Sequence, residues 1–523
     1  MEQTGLIIDN FAGGGGASTG LEQAFGRSVD IAINHDEAAI AVHKANHPHT
    51  SHYCQSIYAV DPAEVVNNLP VDLIWFSPDC KHHSKAKGGK PREKYIRDMA
   101  WVVPHWIERL SKGTPGGISK PKVICLENVE EFKDWGPLDE SGQPIKSKKG
   151  EEFRFWLARL KKLGFNVETR ELRACDYGVP TTRKRLFLIG RSDGKPIVWP
   201  EPTHGEPDSV DVTQGKLLPY RTAAECIDWS ISCPSIFGRK RPLKDATCRR
   251  IALGIMRYVV NSASPFIVPV THNKDIRIHP INQPLRTVTT ARGGEFALVG
   301  ATLAQVGYGE NKGQAPRALD IKKPLGTIVG TGKHALVTAF IAQHNGGPRN
   351  QRISGRAAGT PLSTITGRGT QQQIVQLSMV NSTDLPVEQM KSATIAAAFI
   401  IKYYGNMESS FQSPDRPIGT VLTKDKFAVV TVTIDRIQYI ITDIGMRMLT
   451  PRELARAQGF PEDYILDPEC WYTTATGRKK FGRLPKSHQI SKIGNSVCPA
   501  MAAQIAQAQF SQQSNDLIRS IGV

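Results

Sequence analysis

The sequence predicts an α/β protein: a doubly wound, mostly parallel sheet carrying a large β-rich insertion. Three observations support this. Short apolar runs at Leu6–Ile8, Asp30–Asn34, Leu73–Phe76 and Val123–Leu126 alternate with helical stretches in the first third of the chain, the pattern of parallel strands joined by crossover helices. Four glycines, Gly13–Gly16, follow the first run and open a helix. From about Ser192 long helices give way to Pro, Gly, Thr and Ser, and α/β character returns near Met446.

The first strand runs into Asp9-Asn10-Phe11-Ala12-Gly13-Gly14-Gly15-Gly16. A strand, a glycine turn and a helix make a nucleotide-type pocket, because only glycine lets backbone approach a ligand closely. The dinucleotide fingerprint does not fit cleanly, since Gly13-x-Gly15-x-x ends on Ser18. The second strand, Asp30–Asn34, ends where such folds reach a ligand's ribose. His35-Asp36 and a helix to about Ala45 follow, then the connection Cys54-Gln55-Ser56-Ile57. Leu73–Phe76 ends in Ser77-Pro78, and Cys80 lies four residues beyond Phe76, among Lys81, His82, His83 and Lys85. Open α/β sheets place ligands at the carboxyl ends of strands, and nearby cations favour the nucleophilic thiolate.

Lys81–Asp98 holds seven Lys or Arg against two acids, with Gly88-Gly89 in its middle, which reads as a mobile basic lid over a phosphate backbone. Val123–Leu126 ends in Glu127-Asn128-Val129. Gly136–Glu151 reads as a surface insertion, Phe153–Leu163 as a helix and Phe165–Leu172 as a strand. Thr181-Thr182-Arg183-Lys184-Arg185 leads into the strand Leu186–Ile189, with Arg183 and Arg185 on one side of an extended chain.

Within the insertion Leu243–Val260 reads as a linking helix. Pro284-Leu285-Arg286-Thr287-Val288 recurs at Pro324–Ile328, Pro361–Ile365 and Pro417–Val421. Second apolar runs, Phe296–Val299, Ala335–Val337 and Phe427–Val430, follow three copies. Apolar strands ending in Asn/Gly turns, as in Ala339–Gly347 and Ala398–Asn406, precede two copies. Four repeated β-units are expected, each needing the others to bury an apolar face. Beyond the insertion, Thr450, Pro451 and Glu453 form a helix-start signature. Pro499–Phe510 reads as an Ala-rich final helix. Domain boundaries are expected at 1–195, 196–444 and 445–523.

The net charge of +17 over 523 residues suggests a polyanionic partner, most often nucleic acid. No 18-residue apolar segment occurs, so no membrane span is expected. The N-terminus has no signal-peptide pattern. Nine scattered cysteines without a C-x-x-C pair suggest neither a zinc site nor a disulfide framework, so a reducing cytoplasm is expected.

The order of these pieces resembles the DNA cytosine C5-methyltransferases. Phe11-Ala12-Gly13, Cys80, Glu127-Asn128-Val129, Arg183-x-Arg185, Gln458-Gly459-Phe460-Pro461 and Gly494-Asn495-Ser496-Val497 fall in family order. The resemblance covers roughly 1–195 and 445–523. It implies a Rossmann-like methyltransferase fold whose inserted domain recognises the target. It also implies an enzyme acting on double-stranded DNA with S-adenosylmethionine, without metal, as a monomer, with room for a cognate restriction endonuclease. By this resemblance Cys80 is the nucleophile, Glu127 holds cytosine N3, and Arg185 with Arg183 holds O2. Phe11, Ala12, Gly13, Gly14, Gly15, Asn34, His35, Ile57, Asn495 and Val497 would form the donor site. Lys81, Ser84, Lys85, Lys87, Lys90 and Arg92 would meet DNA. The chain departs from the family pattern at Asp79 and Lys81, which flank Cys80, and at Asn34, Ser56 and Thr181. An RNA cytosine methyltransferase and a non-catalytic DNA-binding regulator are the alternatives.

Overall fold

The computed structural model describes residues 5–79, 83, 97–243, 247–248, 251–252, 255, a set of strands and one helix between 266 and 448, then 449–474 and 476–520. The chain divides into two compact units, Met1–Val179 with Arg183–Gly205 and Gln458–Val523, and Pro180–Thr182 with Glu206–Ala457.

The first unit carries a seven-stranded sheet. Its strands are β1 (Leu6–Asn10), β2 (Ile31–Ile33), β3 (Ser51–Tyr53), β4 (Val71–Phe76), β5 (Val123–Asn128), β6 (Asn166–Arg173) and β7 (Lys184–Arg191). They lie in the order β3-β2-β1-β4-β5-β7-β6. The first five are mutually parallel, and β7 runs antiparallel to both β5 and β6. The doubly wound, mostly parallel fold is therefore the one expected, with one reversed strand. The order reverses between β1 and β4, so their carboxyl ends open a crevice at the switch point.

Burial explains the strands. In β1, Ile7 packs with Leu73, Trp75 and Leu21, while Ile8 packs on the other face with Ile31, Ile74 and Trp106. Both faces are covered, which gives near-continuous apolar strands. One cover contains α1 (Gly16–Phe25) and the final helix Pro499–Ser520. The other contains Val102–Lys112 and Glu151–Lys162. Helix α2 (Glu37–Asn46) is capped by Asp36, which accepts from the N–H groups of Ala38 and Ala39.

The last helix reaches α1 through glycines. A Cβ on Gly20 would collide with the Pro499 carbonyl and come within 2.8 Å of Ala502 Cβ; one on Gly16 would strike the Val497 carbonyl. Phe25 and Phe510 meet edge to face at 5.0 Å. Gly20→Ala should therefore destabilise this unit by about 3 kcal/mol, seen as a lower denaturant midpoint. An unchanged midpoint would mean the helices do not approach this closely.

The second unit contains a ten-stranded sheet in which Gln372–Asn381 pairs antiparallel with both His334–Gln343 and Ile437–Met448. The apolar runs at 296, 335 and 427 fall in the strands Phe296–Leu298, His334–Gln343 and Phe427–Ile434. The repeated Pro-containing segments lie outside the described residues except Val421, which opens the strand Val421–Lys424. Most of Leu243–Val260 also lies outside them. Of the strand and turn expected at Ala398–Asn406, residues 398–404 are instead helical, within Val387–Tyr404, and the rest lies outside the described residues. The buried Ala393, Ala396, Ala397 and Ile400 of that helix recur at three- and four-residue spacing.

The helix-start signature holds. Thr450 N–H donates to Glu453 Oε2 at 2.6 Å, and Glu453 N–H donates to Thr450 Oγ1 at 3.3 Å. Glu453 also receives both terminal nitrogens of Arg447, at 2.8 and 3.0 Å. No helix among the described residues is long and apolar enough to cross a membrane.

Candidate active site

At the carboxyl end of β5, Glu127 is 6% exposed and faces two guanidinium groups. Its Oε1 lies 3.1 Å from Arg185 Nε and 3.3 Å from Arg183 Nη2. Both arginines are buried, and both come from β7 or its approach. The reversal of β7 makes this possible: pairing Glu127 opposite Phe187 sets Arg185 beside the carboxylate. Arg183 Nη1 donates to the Gly494 carbonyl at 3.0 Å, tying the cluster to the Gly494–Val497 segment. Leu172, Ala174, Phe187, Val497, Cys498 and Met501 complete the wall of a small cavity against these three charged groups.

Cys80 lies outside the described residues, as do Lys81, Ser84, Lys85, Lys87, Lys90 and Arg92. The backbone leading to Cys80 is fixed from two sides. Ser77 N–H donates to the Asn10 carbonyl at the end of β1 at 3.2 Å. Asn128 Nδ2 donates to the Pro78 carbonyl at 3.1 Å, and Asn128 Oδ1 accepts from Val129 N–H at 2.9 Å. The Asn of Glu-Asn-Val thus clamps the strand end that carries Pro-x-Cys, a role the motif alone does not reveal.

Two members of the basic stretch do not belong to an exposed lid. His83 is buried against Phe132 and Trp135, with ring centroids at 5.0 and 5.7 Å. Arg97 is buried too and donates to the Gly136 carbonyl at 2.9 Å.

The turn after β1 has Phe11 at φ 65°, Gly13 at 54° and Gly15 at 86°. A non-glycine residue at positive φ is uncommon and clusters at ligand sites. The turn is packed from behind. A Cβ on Gly14 would lie 3.0 Å from Lys492 Cβ and Ser496 Oγ, and one on Gly15 would strike the Tyr464 hydroxyl. On Gly13 it would meet no atom closer than 3.7 Å. Ala12 is buried, and Tyr464 donates to the Gly14 carbonyl at 2.6 Å.

Beside the turn, Asp9 Oδ1 and both polar atoms of Asn10 are buried with no hydrogen-bond partner among the described residues. Buried polar atoms rarely stay unpaired, and a polar ligand end at the turn would pair them. Asn34 is half-buried, His35 exposed, Ile57 buried in the core, Asn495 exposed and Val497 buried. Asn34 Oδ1 accepts from Asp36 N–H at 2.8 Å. Asp36 pairs with Lys492, whose positive charge holds its carboxyl below the usual range against the effect of burial. No local pattern signals that pair, which spans 456 positions.

Residues 6–231 and 360–511 match the model of the C-5 cytosine-specific DNA methylase family. The chain is 33% identical over 204 residues to the Type II methyltransferase M.AgeI of Thalassovita gelatinovora, covering 38% of this chain and 42% of that one. It is 28% identical over 242 residues to the Type II methyltransferase M.AquIA of a Picosynechococcus strain, covering 42% and 87%. Several of the curated relatives are thus spanned over only about half their length. A solved DNMT2 mutant of Spodoptera frugiperda aligns over 97% of this chain at 13% identity and a TM-score of 0.45. With a matched family model covering more than half of its residues, this chain belongs to the C-5 cytosine-specific DNA methylase family.

Proposed function

We propose that the chain is a DNA cytosine-5 methyltransferase, acting on a cytosine turned out of a specific duplex sequence through a covalent bond from Cys80 to ring carbon C6. The observation that carries this reading is the buried Glu127–Arg183–Arg185 cluster beside the clamped strand end leading to Cys80. When bound, S-adenosylmethionine supplies an electrophilic methyl group. The residues present fit such a donor: a glycine turn with one open side, a strained Phe11, and unpaired polar atoms on Asp9 and Asn10.

The chain's own residues supply the rest. Cytosine C5 is a poor nucleophile until a thiolate adds at C6, which makes C5 enamine-like. Cys80 supplies that thiolate. Glu127 holds and protonates N3, offsetting charge that develops in the ring. Arg185, steadied by Arg183, holds O2. Loss of the C5 proton and departure of Cys80 restore the aromatic ring. A base inside a duplex is out of reach, so it must be flipped at roughly a few kcal/mol. The basic residues after Cys80, Lys81, Lys85, Lys87, Lys90 and Arg92 with Ser84, would offset that cost against the phosphates. The second unit is the segment that reads the target. A cognate endonuclease and a monomeric state belong to the same reading.

Expression in a methylation-free host, followed by mapping of modified bases across the genome, tests it. One short sequence with 5-methylcytosine at a fixed position is expected. Methylated transfer RNA with unmodified DNA would favour the RNA enzyme instead.

A further inference from the structure

A line of buried polar side chains runs from β1 to the edge of the sheet. Asp9, fully buried, accepts from Ser18 Oγ of α1 at 2.8 Å. Ser18 Oγ lies 2.9 Å from Nε2 of His43 on α2, and His43 Nδ1 lies 2.8 Å from Nε2 of His52 on edge strand β3. Ser18 and His43 are fully buried, and His52 is half-buried. Four elements thus contribute one unbroken hydrogen-bonded path between solvent and a carboxyl group two residues before Phe11.

We propose that Asp9, Ser18, His43 and His52 form a proton wire that lets the carboxyl group under the glycine turn change its charge to match the ligand held there. The inference rests on the turn being the donor site. With Asp9 ionised, every donor points inward: His52 Nε2–H to His43 Nδ1, His43 Nε2–H to Ser18 Oγ, and Ser18 O–H to Asp9. Moving each proton one link breaks those three bonds and forms His43 Nδ1–H, a new Ser18 O–H and Asp9 O–H. Asp9 ends neutral and His43 ends as its other neutral tautomer. His52 loses one proton, which solvent returns to its ring. The net event is one proton passed from solvent to Asp9.

The surroundings suit this role. Burial raises the Asp9 carboxyl to about 7, opposed by the Ser18 hydrogen bond and by His47. Burial, with His47 and His52 nearby, holds His43 well below its ordinary value, so its ring stays neutral. The other titratable groups facing this line are accounted for. Glu22 of α1 pairs with His47, the residue that caps the end of α2, at 2.9 Å. Tyr464, raised by burial, donates to Gly14. Burial lowers His52, with Lys44 of α2 and His47 adding to the effect. A sulfonium donor is cationic at sulfur and its thioether product is neutral. Ionised Asp9 therefore suits the donor and neutral Asp9 the product.

Nitrogen-15 histidine spectra of the ligand-free chain test the wire by itself. His43 should carry its proton on Nε2 above pH 7 and on Nδ1 below it. A tautomer that does not change overturns the proposal without reference to any ligand. Calorimetry at pH 7 in buffers of different ionisation enthalpy then counts protons on binding. S-adenosylmethionine should release up to about half a proton and S-adenosylhomocysteine should take up about half, and Asp9→Asn should abolish both. Equal counts for the two ligands, or counts that survive in Asp9→Asn, overturn the coupling. If His43 switches but neither compound binds, the donor reading is what fails, and the coupling to ligand charge goes with it.

Discussion

Cys80→Ser is expected to abolish methyl transfer, by on the order of 10³-fold or more, while duplex DNA is still bound. An alcohol is a far weaker nucleophile than a thiolate at neutral pH. Of the described cysteines of this unit, Cys125, Cys175, Cys470 and Cys498 are buried, and Cys54 alone is exposed. Burial pushes the Cys125 thiol far up, and it raises Cys498, which lines the cavity beside Glu127, to about 11. Cys54 is exposed, but partial burial and the carboxylates Glu37 and Asp36 raise it as well. Labelled-methyl transfer to plasmid DNA and a gel-shift titration measure the two halves of the expectation. Near-normal transfer by the serine variant would remove Cys80 from the reaction.

Glu127→Gln is expected to act on two properties at once. It keeps the shape of the side chain but loses the charge that Arg183 and Arg185 share, at 3.3 and 3.1 Å. Removing one partner of a buried ion pair leaves unpaired charge, at about 3–5 kcal/mol; the remaining amide oxygen, still an acceptor, should keep the loss near the lower figure. The variant should therefore melt earlier. In the proposed role Glu127 takes up a proton and passes it to the attacked ring, which an amide cannot do, so kcat should fall by about 10²–10⁴-fold. Measured on folded protein well below the new melting temperature, the two losses separate. A variant less stable but fully active would make Glu127 a structural partner of the arginines only.

The apolar runs that pack both faces of the sheet were plain in the sequence, because burial on two sides leaves little room for polar residues. The glycine turn was equally plain. Strand direction was not: Leu186–Ile189 reads the same whichever way it runs, and only pairing with both β5 and β6 fixes β7 as antiparallel. The strands extend past their apolar runs where polar groups lie inside them, as with Asp9 and Asn10 of β1 and Glu127 and Asn128 of β5. Polar residues within a buried strand look like loop until their partners are known, and the Pro78 carbonyl that Asn128 reaches lies 50 positions away. Ala398–Ile401 misled because a short apolar run does not distinguish strand from buried helix. Arg97 looked like part of a mobile charge run, and a carbonyl 39 positions away decides otherwise.

Gly16 and Gly20 press α1 against residues far downstream in the chain. A ribosome must therefore translate past Val497 and Ala502 before the first helix has its partner. Until then the nascent amino-terminal half carries an uncovered greasy flank, vulnerable to chaperones and proteases. A chain cut between Gly20 and Val497 would leave α1 without that partner.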